Sequence, residues 1–152
     1  MPTLYEWLKF AHVLLAIIAV GFNASYAIWL ARAARHPERE SFALRTIKTL
    51  DDRFANPAYG LLLVTGLLMI WNADIPISTF WISTSIGIYV GVLLLGLGVY
   101  TPTLRKQIRA LEDDGPHSPG YRRLSTRGTV VGILLGVLVV VIVFLMVTKP
   151  TL

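Results

Sequence analysis

From Gly128 to Val147 the chain runs for twenty residues without an Asp, Glu, Lys or Arg. A helix needs about 20 mainly apolar residues to cross about 30 Å of hydrocarbon, where every backbone polar group must be bonded within its own segment. Three further uncharged stretches follow the same pattern, at Phe10 to Ala31, Phe54 to Trp71 and Phe80 to Tyr100. Taken to their edges, they predict spans over about residues 8–31, 54–71, 80–100 and 128–147. A membrane barrel would need short strands alternating apolar with polar, and runs such as Val137 to Phe144 do not alternate. The expected fold class is therefore all-α: a polytopic membrane protein in which residues 1–152 form a single bundle of four transmembrane helices. Composition agrees, with 55% hydrophobic and 15% charged residues, whereas soluble domains carry roughly 25% charged residues.

The basic residues divide by connection. Residues 32–53 hold Arg32, Arg35, Arg39, Arg45, Lys48 and Arg53, and residues 101–127 hold Arg105, Lys106, Arg109, Arg122, Arg123 and Arg127; only Lys9 and Lys149 lie elsewhere. The positive-inside rule then predicts both long connections in the cytoplasm, with the N-terminus, the Asn72 to Thr79 turn and the C-terminus outside. The net charge of +5 belongs beside anionic lipid head groups, so the expected partner is the bilayer and not nucleic acid. The first apolar segment is too long for a cleaved signal peptide and opens with Glu6 instead of a basic region. Asn23-Ala24-Ser25 matches a glycosylation sequon at a depth such chemistry does not reach, a chance match.

In the first connection, Phe42, Leu44, Ile47 and Leu50 have amphipathic helical spacing, and Pro37 suits the first helical position. This helix can lie on the inner leaflet or lengthen the bundle, and the local charges Asp51, Asp52 and Arg53 favour the second reading. Asp113 to Gly120 is turn-rich, without periodicity, and is expected to be mobile. Aromatic residues gather where bilayer boundaries fall: Tyr5, Trp7, Trp71, Phe80 and Trp81 at one side, Tyr26, Trp29, Phe54, Tyr59 and Tyr100 at the other. Gly87 with Gly91, and Gly128 with Gly132 and Gly136, form small-residue stripes. They serve close packing within the bundle, or the seam of a homodimer or larger membrane complex.

With no cysteine, disulfides, thiolate nucleophiles, iron–sulfur clusters and thiolate zinc sites are excluded. No Ser/His/Asp set, HExxH or Walker sequence occurs, and the predicted spans hold no carboxylate to relay protons. The one chemical foothold is His12, about a turn inside the first span. An imidazole in hydrocarbon needs a partner: it can ligate a metal or haem iron through one nitrogen while donating from the other. The plainer reading is a neutral histidine bonded to a neighbouring helix. Met69 and Met146 are expected in the same layer, and a His/Met pair can hold haem or soft copper, although methionine more often fills space. Lys9, three residues before His12, can snorkel outward as a rim charge towards a propionate. His36 and His117 lie in the connections, apart from His12.

Leu8-Lys9-x-x-His12-Val13-Leu14, Asp52-Arg53-Phe54-x-x-Pro57, Thr65-Gly66-Leu67 and Pro102-x-Leu104 together resemble a bacterial family of small four-helix integral membrane proteins of unknown function. More distantly, the first span is similar to that of the HemJ-type protoporphyrinogen oxidases and of the copper-resistance CopD domain. The resemblance implies a b-type haem or, less readily, copper held by His12 with Lys9 nearby. It also implies a multi-pass protein of the bacterial inner membrane. The expected function is thus haem or copper binding through His12, with Met69 as a further ligand candidate, in electron transfer or haem handling. The rival expectation is a cofactor-free accessory or scaffold subunit of a larger membrane complex.

Overall fold

The computed structural model describes residues 1–151. Four helices make up nearly all of them: α1 (Leu4–Ala33), α2 (Pro37–Asn72), α3 (Phe80–Asp114) and α4 (Pro119–Thr148), with no strand among the described residues. Each is long and apolar enough to cross a membrane, so the all-α four-helix architecture expected from the uncharged runs is the architecture observed.

Local chemistry sets the helix ends. Thr3 caps α1 in a reciprocal box, its hydroxyl accepting from Glu6 N–H at 3.3 Å while Glu6 Oε2 accepts from Thr3 N–H at 2.7 Å. Pro37 and Pro119 stand in the first helical turns of α2 and α4, where a missing N–H costs nothing. The Ser118 hydroxyl accepts from Tyr121 N–H at 3.2 Å. Between α3 and α4, Gly115 adopts φ 83°, ψ 170°, a region open essentially to glycine alone. Gly115→Ala is expected to lower stability by about 1–3 kcal/mol, read as a fall in the thermal midpoint of the detergent-solubilised protein.

The helices continue well beyond the apolar segments. Residues 37–53 extend α2, residues 101–114 extend α3 and residues 119–127 begin α4, so the two basic connections are mostly helical and turn only at 34–36 and 115–118. The turn-rich patch expected over Asp113 to Gly120 shrinks accordingly, because the polar turns of α3 have a packed surface to rest on. The amphipathic part of α2 lengthens the bundle, burying Ala43, Leu44 and Ile47. Phe42 departs from the expected apolar face and is 68% exposed. Arg45 Nε donates to Glu112 Oε1 at 2.9 Å and Tyr121 Oη to Glu40 Oε1 at 2.7 Å, joining α2 to α3 and α4.

The two halves of the bundle differ. In the basic half, Tyr26, Leu44, Ile47, Tyr100, Leu104, Leu111 and Tyr121 pack into one core drawn from all four helices. In the terminal half, which carries both termini and the 73–79 turn, the 56–72 part of α2 packs along α1 and the 80–95 part of α3 along α4, and the backbones of these two segments do not approach one another or the other pair among the described residues. A tyrosine pair marks the transition, with Tyr89 Oη donating to the Tyr59 carbonyl across the gap. Tyr26 and Tyr100 are therefore buried core residues, not the boundary anchors expected from sequence, because the extended helices enclose them. Trp7, Trp29, Phe54 and Trp71 remain exposed on the rim, as boundary residues should.

The glycine stripes divide as well. A side chain at Gly128 would meet Gln107 at 3.3 Å and one at Gly132 would meet Tyr100 at 3.5 Å, so these two glycines let α4 close on α3. Around Gly87, Gly91 and Gly136 there is open space.

Candidate functional site on the α1–α2 seam

Helix α1 turns His12, Ala19, Tyr26 and Ala33 to one face, and α2 does the same with Leu44, Asp51, Ala58 and Thr65. Both sets repeat every seven residues, the spacing at which two helices keep facing one another. The helices run antiparallel, so His12 meets Thr65, Ala19 meets Ala58 and Leu62, and Tyr26 comes within electrostatic reach of Asp51. Small residues in the middle layer allow the close approach that van der Waals packing in lipid requires.

In the outermost of these layers His12 Nδ1 lies 2.8 Å from Thr65 Oγ1. The threonine hydroxyl has a single proton, and the Leu61 carbonyl takes it at 2.8 Å in the usual back-bond to the preceding turn. With that bond made, Thr65 Oγ1 is an acceptor towards His12, an arrangement that suits the neutral tautomer with its proton on Nδ1 and its lone pair on Nε2. The imidazole lies against the bare backbone of Gly66, where an added Cβ would stand 3.2 Å from Cε1. His12 is half-buried, and it sits in the half of the bundle where the two helix pairs stand apart.

The other residues singled out from sequence take different places. Lys9 is exposed at the rim one turn before His12, and Met69, half-buried, follows Thr65 by one turn on the same side of α2. Met146 is half-buried on α4, in the other helix pair. His36 pairs with Glu38 at 3.4 Å on the surface, and His117 is exposed in the α3–α4 connection, so neither approaches His12. No group of three or more His, Cys, Asp or Glu side chains is assembled for a metal ion among the described residues.

Sequence reasoning missed a second polar layer. Asp51 does not pair locally at the surface; it is 4% exposed and points into the bundle, accepting from Asn56 Nδ2 at 3.2 Å and Thr101 Oγ1 at 3.5 Å. Its neighbour Asp52 faces outward and takes the Lys48 ammonium. The signal was present in the register, because Leu44, Ile47, Asp51, Ala55, Ala58 and Leu62 form one buried stripe at helical spacing.

Against known proteins, the model of a family described as "Predicted integral membrane protein (DUF2269)" matches residues 6–150. No curated protein and no solved structure matches the chain. With a match that leaves out only the extreme ends of the four-helix bundle, the chain belongs to the DUF2269 family of integral membrane proteins.

Proposed function

We propose that this protein binds a b-type haem within the membrane, with His12 as an axial ligand, in electron transfer or haem handling. The observation that carries the reading is the 2.8 Å contact between His12 Nδ1 and the Thr65 hydroxyl, which suits the tautomer whose Nε2 lone pair is left to ligate a metal. Metal-ligating histidines are ordinarily held in this way by a partner on the other ring nitrogen. Haem suits the donor set better than copper does. A porphyrin supplies four iron ligands itself and asks one or two of the protein, so a single histidine goes further towards a haem site than towards a site for a bare ion. Met69 is the candidate for a second axial position, and Lys9 for an ion pair with a propionate at the rim. A bound haem would supply one-electron chemistry. The chain's own part is to hold the imidazole in one tautomer and orientation, and to surround it with apolar side chains that keep water away.

Topology and location follow the charges. The six basic residues in each long connection support a reading with the basic half in the cytoplasm and the termini outside, and the resemblance described above supports the inner membrane of a bacterium. A second reading has its own support: Gly87, Gly91 and Gly136 have open space where a side chain would stand, as a packing stripe for a partner helix in a homodimer or larger complex would.

The test is optical. Protein expressed with ample haem and purified in mild detergent is expected to give a reduced-minus-oxidised b-haem difference spectrum that His12→Ala abolishes while helical content and micellar size stay unchanged. Thr65→Val keeps the ligand but removes its orienting acceptor, and is expected to weaken haem retention by about 10–100-fold. A flat spectrum from folded, haem-replete protein would sink the haem reading and leave the packing subunit as the better account.

A further inference from the structure

We infer that Asp51, buried at the head of the π-helical turn of α2 and bonded from α3 by Thr101, is a proton-binding site whose protonated acid helps to hold the basic half of the bundle together. In each π-helical turn an N–H donates five residues back, Asn56 to the Asp51 carbonyl and Thr101 to the Gly96 carbonyl. Such turns insert one residue into the helix, re-aim the side chains around it and recur at functional sites. Asp51 opens the turn in α2, and the Thr101 hydroxyl, at the end of the turn in α3, reaches across to it.

The surroundings fit an acid better than a carboxylate. A buried anion needs a cation or several short hydrogen bonds. Both donors that reach Asp51 converge on Oδ2, at 3.2 and 3.5 Å. Lys48, the one cation that acts on Asp51 and favours its ionised form, is engaged by Asp52, whose own charge repels a second anion beside it. α1 brings Tyr26, α3 brings Tyr100, α2 itself adds Tyr59, and no charged residue of α4 acts on the carboxyl. Burial pushes the Asp51 carboxyl up from the ordinary carboxylate range, at a position three residues ahead of the apolar segment that begins at Phe54.

Tyr26 supplies an independent sign that something belongs in this space. It is 4% exposed, its hydroxyl has no hydrogen-bond partner, and it faces the Asp51 layer. A buried hydroxyl opposite a carboxyl beyond bonding distance is the setting for a bridging water, through which a proton passes between the acid and the aqueous face beside Lys48 and Asp52. Uptake is a simple exchange: a hydronium ion gives its proton to the Asp51 carboxylate and leaves as water, and ionisation reverses it. The negative charge left by ionisation draws water into the layer. Because the backbones of α2 and α3 approach one another over residues 37–50 and 101–114, beside this layer, hydration there loosens the main contact between the two helix pairs.

The sign of the linkage is fixed by this arrangement. A carboxyl whose pKa is raised by folding binds its proton more tightly in the folded state, so stability is greatest in acid. Stability is lost as pH rises from the ordinary carboxylate range through the raised value. Infrared titration of the full chain in micelles is expected to show the carbonyl stretch of a protonated carboxylic acid persisting above the range where surface Asp and Glu ionise. The band should be absent in Asp51→Asn and displaced in Tyr26→Phe. Thermal midpoints recorded over the same pH range are expected to fall with rising pH in the parent and to stay level in Asp51→Asn, which mimics the neutral acid and keeps the fold. A carboxyl that titrates with the surface groups, or an Asp51→Asn protein whose midpoint falls with pH as the parent's does, would overturn the inference. Neither readout involves haem, so the result stands apart from the optical test of His12.

Discussion

Leu44→Ala is expected to destabilise the protein by about 2–5 kcal/mol. Leu44 has no exposed surface and packs in the core that also holds Tyr26, Ile47, Tyr100, Leu104, Leu111 and Tyr121. Removing its branched end strips favourable contacts from several helices at once and leaves a cavity that rigid aromatic neighbours cannot close. Leu94, which is 70% exposed on α3, makes the contrast. Its side chain meets lipid, which is as apolar as leucine itself, so Leu94→Ala is expected to change stability by no more than about 0.5 kcal/mol. Denaturant titration of both variants in the same detergent checks the pair. Equal losses would contradict a bundle in which Leu44 is locked in a four-helix core and Leu94 faces lipid.

That division explains what the sequence disclosed and what it concealed. Absence of charge over twenty residues is a property of a segment, so the four spans and the all-α class could be read without knowing what packs against what. The helical continuation through the polar connections could not, because it depends on partners distant in the chain: Arg45 on Glu112 and Glu40 beneath Tyr121. Phe42 illustrates the same limit. Its spacing fits the apolar face of α2, yet it turns outward, since Ala43, Leu44 and Ile47 already fill the contact with the core. Tyr26 and Tyr100 look like boundary anchors in a list of aromatics and become core residues only once the bundle is longer than its apolar segments.

The candidate site was half legible. An imidazole among apolar residues stands out in any reading, and its partner Thr65 lies within the Thr65-Gly66-Leu67 element of the family resemblance. What the sequence did not expose was the register that makes His12/Thr65 and Tyr26/Asp51 equivalent layers of one seam, separated by the alanine layer of Ala19 and Ala58. Asp51 was obscured by its neighbours: three consecutive charged residues read as a solvated boundary, and only the buried stripe shows which one points inward.

The second large effect concerns the seam at His12. Gly66→Val is expected to part α1 from α2 there, lowering stability by about 1–3 kcal/mol and, on the haem reading, abolishing the difference spectrum although every proposed ligand is still present. A Cβ at position 66 would lie 3.2 Å from His12 Cε1 and 3.8 Å from Nδ1. Gly66→Ala asks the ring to give by a few tenths of an ångström, which a side-chain rotation can supply, so that variant is expected to retain most of the signal. Valine adds two branches whose rotamers are restricted on a helix, and the ring can then clear them only by leaving Thr65. Without that hydroxyl the imidazole loses its fixed tautomer and its aim together. The graded pair therefore tests position independently of ligand identity, which His12→Ala cannot do. A Gly66→Val protein that keeps both its stability and its spectrum would show that His12 is not confined between the two helices, and that the Thr65 bond is not what presents its second nitrogen.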